Sequence, residues 1–161
     1  MEPVSTNAAA FKPKADDVFA RIAGRYDLLC DLFSLGAHRL WKQRLANVVA
    51  ATDGQHLLDL ASGTGDIPYR LIGRLGPDHG RSIMVTDLCP QMLDLARHKL
   101  ASGRPAPGIG IGIADAARLT GIEDNSIDVV SIAFGMKICD RSAVAAEALR
   151  VLRPGGAVSL S

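Results

Sequence analysis

Residues 56–68 read His56-Leu-Leu-Asp-Leu-Ala-Ser-Gly-Thr-Gly-Asp-Ile-Pro68, and the architecture follows from them. Leu57, Leu58 and Leu60 form a short apolar run of the kind carried by a strand buried on both faces. Gly63 and Gly65, which lack Cβ atoms, permit a tight turn and a close backbone approach to a bound molecule. Beyond Asp66, the spacing of Ile67, Leu71, Ile72 and Leu75 predicts a helix, with Pro68 in its first turn, where no intrahelical hydrogen bond is lost. Strand, glycine loop and helix in succession are the front end of a nucleotide-type site. A glycine turn that serves topology alone has the same pattern, so both readings stand on these residues. Pro68 occupies the place of the third glycine of a dinucleotide fingerprint, which counts against a nicotinamide-dependent oxidoreductase.

Downstream, the same alternation repeats. A strand is expected at residues 82–86, ending at Asp87, followed by a helix that opens at Pro90 and buries Met92, Leu93, Ala96 and Leu100. Ile109-Gly-Ile-Gly-Ile113 is a third strand; its glycines suit either a close-lying group or a weak edge. Asp124-Asn-Ser is a turn, and residues 127–134 are a strongly apolar fourth strand. Asp140 caps a helix expected to turn Val144, Ala148, Leu149 and Leu152 inward. Arg153-Pro-Gly-Gly156 then makes a sharp turn, and residues 157–160 begin a fifth strand. Short strands alternating with helices imply a parallel, doubly wound α/β sheet, with ligands beyond the carboxyl ends of the strands. Ser62, Asp66, Asp87, Asp115 and the segment 134–140 all fall at that edge.

Upstream lie two helices. Val18, Phe19, Ile22, Tyr26, Leu29 and Phe33 mark the first as amphipathic, and Gly36 closes it. The second is expected to bury Leu40, Trp41, Leu45, Val48 and Val49, leaving His38, Arg39, Lys42 and Arg44 as a solvated basic face. The organisation expected is a loose tail over residues 1–13, a helical lid segment over 14–52, and a Rossmann-like α/β domain over 53–161.

Composition bounds the function. A chain of 161 residues with 48% apolar content supports one globular domain. Eighteen Lys and Arg balance 17 Asp and Glu, a net charge of +1, which gives no footprint for nucleic acid. Cys30, Cys89 and Cys139 lack any paired metal spacing, so no metal site is expected, and they read as thiols of a reducing compartment. No apolar run reaches the roughly 20 residues of a membrane span, and no basic-then-apolar leader pattern is visible. A soluble, cytoplasmic protein is expected.

Several segments together resemble the class I S-adenosylmethionine-dependent methyltransferases. Within them the chain resembles the UbiE/COQ5 family, which C-methylates ubiquinone and menaquinone precursors. The segments are Val18-Phe-x-x-Ile-Ala-x-Arg-Tyr-Asp27, Ser34-x-Gly-x-His-Arg-x-Trp-Lys42, Leu58-Asp-Leu-Ala-x-Gly-Thr-Gly-Asp66, Asn125-Ser-x-Asp128, Phe134-Gly135 and Arg150-Val-Leu-x-Pro-Gly-Gly156. The resemblance implies S-adenosylmethionine as cofactor. It implies that Asp87, with Leu88 beside it, receives the ribose hydroxyls, and that Gly63, Thr64 and Gly65 admit the methionyl and ribosyl parts. Asp115 and Ala116 would recognise the adenine, and Asp59 would organise the loop. Ala133 stands where relatives often place a serine near the cofactor. Ring methylation requires removal of a phenolic proton, so a base is expected in the segment 134–140, with Lys137 and Asp140 as candidates. Tyr26 fits either a fold-over position on the site or an amphipathic core position.

The chain departs from the family pattern at Lys137-Ile138, usually Arg-Asn, and at Cys30, usually Asn. Relatives also continue through two further strands, which leaves the fifth strand here an unpaired edge for a partner chain or a second copy. The acceptor implied is a prenylated quinol, reached by transient membrane-surface contact through the Arg39/Lys42 side. A non-catalytic adenosyl-binding or assembly protein is the alternative.

Overall fold

The computed structural model describes residues 34, 37–76, 78–103, 106–135 and 139–161. Nine elements follow one another there: α1 (Ala37–Ala51), β1 (His56–Leu60), α2 (Asp66–Leu75), β2 (Ser82–Asp87), α3 (Pro90–Ser102), β3 (Ile109–Ile113), β4 (Ile127–Ile132), α4 (Arg141–Val151) and β5 (Leu152–Leu160). The expected first helix lies outside the described residues. The five strands form one parallel sheet in the order β3-β2-β1-β4-β5. The chain winds outward from β1 through β2 to β3, then returns to β1's other side through β4. This reversal opens a crevice beyond the carboxyl ends of β1 and β4.

Side-chain alternation along β1 supplies two cores. Leu58 and Leu60 point to one face and join Val130, Ile132, Val144, Ala148 and Val151. Leu57 points to the other, among Val129, Ile83, Val85, Leu45, Val49, Leu71 and Ile72. Burial on both faces is why β1 is aliphatic from Leu57 to Leu60 except at Asp59. α2 and α3 match the expected pattern, with Ile67, Leu71 and Ile72 buried on one, and Met92, Leu93, Ala96 and Leu100 on the other. β3 pairs only with β2, so its Ile-Gly alternation belongs to an edge strand.

Four expectations are corrected. α1 buries His38, Lys42, Leu45, Ala46 and Val49, while Leu40, Trp41 and Val48 are exposed. The buried residues fall at steps of three and four, a single helical stripe that has a polar end. On α4, Val151 replaces Leu149, which is 70% exposed, because Val144, Ala148 and Val151 make the inward stripe. β4 ends at Ile132, since Phe134 adopts a left-handed φ of 59°. β5 begins at Leu152, before the expected turn. Ile127 pairs with Leu152 but Val129 pairs with Ala157, so residues 153–156 bulge out opposite Asp128.

Two charged side chains tie down this end of the sheet and the nearby loops. Asp128 accepts the main-chain N–H groups of Gln55 (2.8 Å) and His56 (2.9 Å) and pairs with Arg153 at 2.8 Å. Arg150 donates to the carbonyls of Ile122 (2.9 Å) and Leu119 (3.0 Å), closing the connection between β3 and β4.

The two aliphatic positions at issue give a direct check. Leu58→Ala, at the sheet centre, is expected to lower the unfolding free energy in urea by about 2–5 kcal/mol. Leu149→Ala should change it by less than about 0.5 kcal/mol.

Candidate functional site

The loop between β1 and α2 is shaped by left-handed backbone at Ala61 (φ 48°), Gly63 (φ 57°) and Gly65 (φ 76°). At Gly65 a Cβ would lie 2.9 Å from the Ala96 Cβ, so this glycine is required both by its φ and by the contact with α3. At Gly63 an added Cβ would meet nothing within 4 Å, because that position borders open space.

Three carboxylates hold the loop. Asp87, at the end of β2, accepts the Gly63 N–H at 2.7 Å on Oδ2 and the Cys89 N–H at 2.9 Å on Oδ1. Asp59, buried in β1, accepts the Ser62 hydroxyl on Oδ2 and the Ser131 hydroxyl at 2.5 Å on Oδ1, linking loop, β1 and β4. Burial pushes the Asp59 carboxyl up to about 6, against the pull of those two hydroxyls. Asp66, the first residue of α2, sits between Lys42 Nζ (2.8 Å) and Lys99 Nζ (2.7 Å). Burial works against the Asp66 charge, yet the hydrogen bonds of the two lysines outweigh it and hold the carboxyl well below the usual range. Lys99 also donates to the Thr64 hydroxyl at 3.0 Å.

Above the loop lies a cavity of about 310 Å³, within the size range of small-ligand sites. Its floor is Asp59, Gly63 and Thr64, and its walls include His38, Trp41 and Lys42 of α1 and Ala133 and Phe134 after β4. The Trp41 and Phe134 rings stand 6.0 Å apart, centroid to centroid. A larger hollow of about 520 Å³ lies away from the strand ends, against Gln43, Tyr69, Arg70 and Leu100.

A sequence model of the ubiE/COQ5 methyltransferase family matches residues 7–160. The chain belongs to the ubiE/COQ5 family. It is 43% identical over 144 residues to the ubiquinone/menaquinone biosynthesis C-methyltransferase UbiE of Acidiphilium cryptum (strain JF-5), covering 89% of this chain and 56% of the relative. It thus spans about half the length of the curated relatives it matches, 54% for that of Paracoccus denitrificans (strain Pd 1222). The fold is that of a Methanococcus maripaludis protein assigned to the S-adenosyl-L-methionine-dependent methyltransferases. Its TM-score is 0.71 at 20% identity, over 95% of this chain and 67% of that one.

In this ubiE/COQ5 chain the residues singled out by sequence do not all meet at one cavity. Asp59, Gly63, Thr64 and Ala133 line the cavity, and Asp87 is hydrogen-bonded to its floor. Leu88, Asp115 and Ala116 lie at the same carboxyl edge without lining that cavity. Asp115 Oδ1 accepts the Ala117 N–H at 2.9 Å, and Ala116 is buried in the α4-side core. Burial, then the charges of Asp115 and Asp87, pushes the Cys139 thiol up. Asp140 is exposed, and its Oδ1 caps α4 through the N–H groups of Ser142 and Ala143. Lys137 and Tyr26 lie outside the described residues.

His38, Trp41 and Lys42 line the cavity and Lys99 braces its loop, roles that sequence reasoning missed, whereas Asp66 falls at the edge where it was expected. The solvated basic face holds for Arg39 and Arg44 but fails for His38 (6% exposed) and Lys42 (7% exposed). Lys42, enclosed beside Asp66, is also removed from the membrane-facing role expected of it. A signal was present in their four-residue spacing, which puts both on the stripe of Leu45, Ala46 and Val49.

The Asp59 environment sets a pH dependence. Its folded pKa of about 6 exceeds an unfolded value near ~4, so the folded state binds the extra proton between those values. The associated loss of stability is absent below about pH 4 and complete above about pH 6. Urea unfolding followed from pH 4 to 7 is expected to show a downward slope that Asp59→Asn flattens; equal slopes in the two proteins would contradict the assignment.

Proposed function

We propose that this chain binds S-adenosylmethionine at the carboxyl ends of β1, β2 and β3. As part of a methyltransferase, it serves transfer of the methyl group to a ring carbon of a prenylated quinol of the ubiquinone/menaquinone type. The observation that carries this is the Asp87 carboxylate fixed against the Gly63 amide at 2.7 Å, at the rim of open space where a Cβ would otherwise project. Each carboxylate oxygen has two lone pairs, so Asp87 can accept ribose hydroxyls while keeping its amide bonds. Gly63, Thr64 and Gly65 would face the ribosyl and methionyl parts, with Ala133 across the cavity. Leu88, Asp115 and Ala116 would face the adenine. When bound, the group supplies a sulfonium-activated methyl; the protein's share is alignment of the attacking carbon and exclusion of water.

The acceptor would approach from the side of Phe134 and the residues that follow it, where Lys137, Asp140 and Tyr26 are the positions the family pattern puts forward. Relatives named UbiE are C-methyltransferases of ubiquinone/menaquinone biosynthesis, which supports this acceptor class. Among the described residues no helix is long and apolar enough to cross a membrane, and no cluster of His, Cys, Asp or Glu could hold a metal ion. We place the protein in the cytoplasm, meeting the membrane only to collect its acceptor. The open side of β5, where Val158 and Leu160 are exposed, is the edge along which further chain, a partner or a second copy would pair.

Calorimetry with S-adenosylhomocysteine is expected to show one site per chain. Asp87→Ala should weaken it by about 1–3 kcal/mol, the range for a lost charge-assisted contact. Absence of both heat and thermal shift with either adenosyl ligand would refute the proposal, and binding without turnover of demethylated quinols would confine it to the adenosyl site.

A further inference from the structure

We propose that the larger hollow, of about 520 Å³, binds an organic phosphate, its anion held by Arg70 and Arg74 and its apolar body by Tyr69, Ile72 and Leu100. This site is independent of the adenosyl reading: it shares no lining residue with the cavity above the glycine loop. Its volume falls within the range of small-ligand sites.

The hollow is lined by two cations and no acid. Arg70 and Arg74 stand four residues apart on α2, so their side chains share one face of the helix. Neither has a carboxylate partner among the described residues, whereas Arg97, Arg150 and Arg153 each have one. Arg70 donates from Nη1 to Gln43 Oε1 at 3.1 Å, and its Nε is enclosed without an acceptor among the described residues. Gln43 is fixed in turn, its Nε2 donating to Asn47 Oδ1 at 3.2 Å, so α1 anchors the guanidinium at the wall of the hollow. A half-buried cation with an unmet donor and no counter-charge is costly to keep. An anion in the hollow supplies that charge to the delocalised guanidinium without having to touch Nε. The helix dipole accounts for Arg74, in the last turn of α2, but its effect does not extend to Arg70, a turn earlier.

The remaining lining suits an apolar body. Glycine is among the poorest helix formers, yet Gly73 stands inside α2 beside the two arginines. A Cβ there would meet nothing within 4 Å, so a longer side chain would project into the hollow that Gly73 leaves open. A Cβ on Gly103 would lie 3.0 Å from Tyr69 Cε2, and its absence lets the Tyr69 ring lie close against the end of α3. That ring is 44% exposed, and Ile72 and Leu100 add an aliphatic patch. A phosphate monoester carries roughly two negative charges at neutral pH and three acceptor oxygens, enough to engage both guanidiniums at once.

Calorimetry on the full chain with phenyl phosphate tests the site. One molecule per chain is expected, held less tightly as salt rises. Inorganic phosphate, which lacks the apolar body, should bind about tenfold more weakly. Arg70→Gln and Arg74→Gln should each weaken phenyl phosphate about tenfold or more, the equivalent of one charge-assisted hydrogen bond. Gly73→Leu should abolish binding by filling the hollow, with S-adenosylhomocysteine affinity unchanged in all three variants. Failure of the folded wild type to take up phenyl phosphate overturns the proposal, as does equal affinity for inorganic phosphate. Undiminished affinity in Arg74→Gln overturns it even where Arg70→Gln does not fold, because the Arg74 side chain is exposed and its loss leaves the core intact. Vesicles distinguish the source of the phosphate. Sedimentation with mixed phosphatidic acid–phosphatidylcholine vesicles but not with phosphatidylcholine alone, lost in Arg74→Gln, assigns a lipid headgroup; phenyl phosphate binding without sedimentation assigns a soluble ester.

Discussion

A carboxylate enclosed at the carboxyl end of the central strand must have its oxygens satisfied, and the site is built from that requirement. Asp59 is 3% exposed and takes one hydroxyl from the glycine loop and another from β4. An unpaired acid there would carry a desolvation penalty that no apolar neighbour could offset. Satisfying it fixes Ser62, and Ser62 N–H is held in turn by the Thr86 carbonyl at 2.9 Å. Loop, β1, β2 and β4 are thereby registered to each other before any ligand enters. Preorganisation of this kind lowers the ordering cost that binding would otherwise meet.

The Lys42–Asp66–Lys99 cluster does for α1 what Asp59 does for the loop. Asp66 lies at the start of α2, where the helix dipole already favours a negative charge. Two lysines from α1 and α3 converge on it, so three helices meet at one carboxylate. The pairs are largely enclosed, and removing one partner would leave a charge uncompensated in a low-dielectric wall. Their contribution is therefore better understood as location than as net stability: α1 is set with His38 and Trp41 over the loop.

What could be read from the sequence divides along the same line. Residues 56–102 announce their elements because each buries a stripe made almost entirely of apolar side chains, and Gly63, Gly65 and Pro68 have positional meanings that local chemistry enforces. α1 is harder. Its inward stripe includes His38 and Lys42, which side-chain polarity alone assigns to water, and only Asp66, 24 positions away, makes the burial of Lys42 tolerable. Leu149 errs in the opposite sense, an apolar residue left outside because Val151 completes the inward stripe. Arg153-Pro-Gly-Gly156 has the chemistry of a turn, and its inclusion in β5 depends on pairing with β4 that no local pattern discloses. At the site, Asp87 was legible from its place at a strand end, whereas the aromatic wall joins Trp41 to Phe134 across 93 positions and has no local signature.

The bulge in β5 also separates the two ends of the sheet mechanically. Beyond it, Val130 faces Val158 and Ile132 faces Leu160 in unbroken step. Before it, Leu152 packs into the α4-side core. Residues 153–156 act as a buckle in a belt: Arg153 is fastened to Asp128 at 2.8 Å, a Cβ on Gly156 would lie 2.9 Å from the Asp128 carbonyl oxygen, and the last rungs of the ladder keep their phase. The extra residues are thus taken up at the rear of the sheet, and the front is left in register.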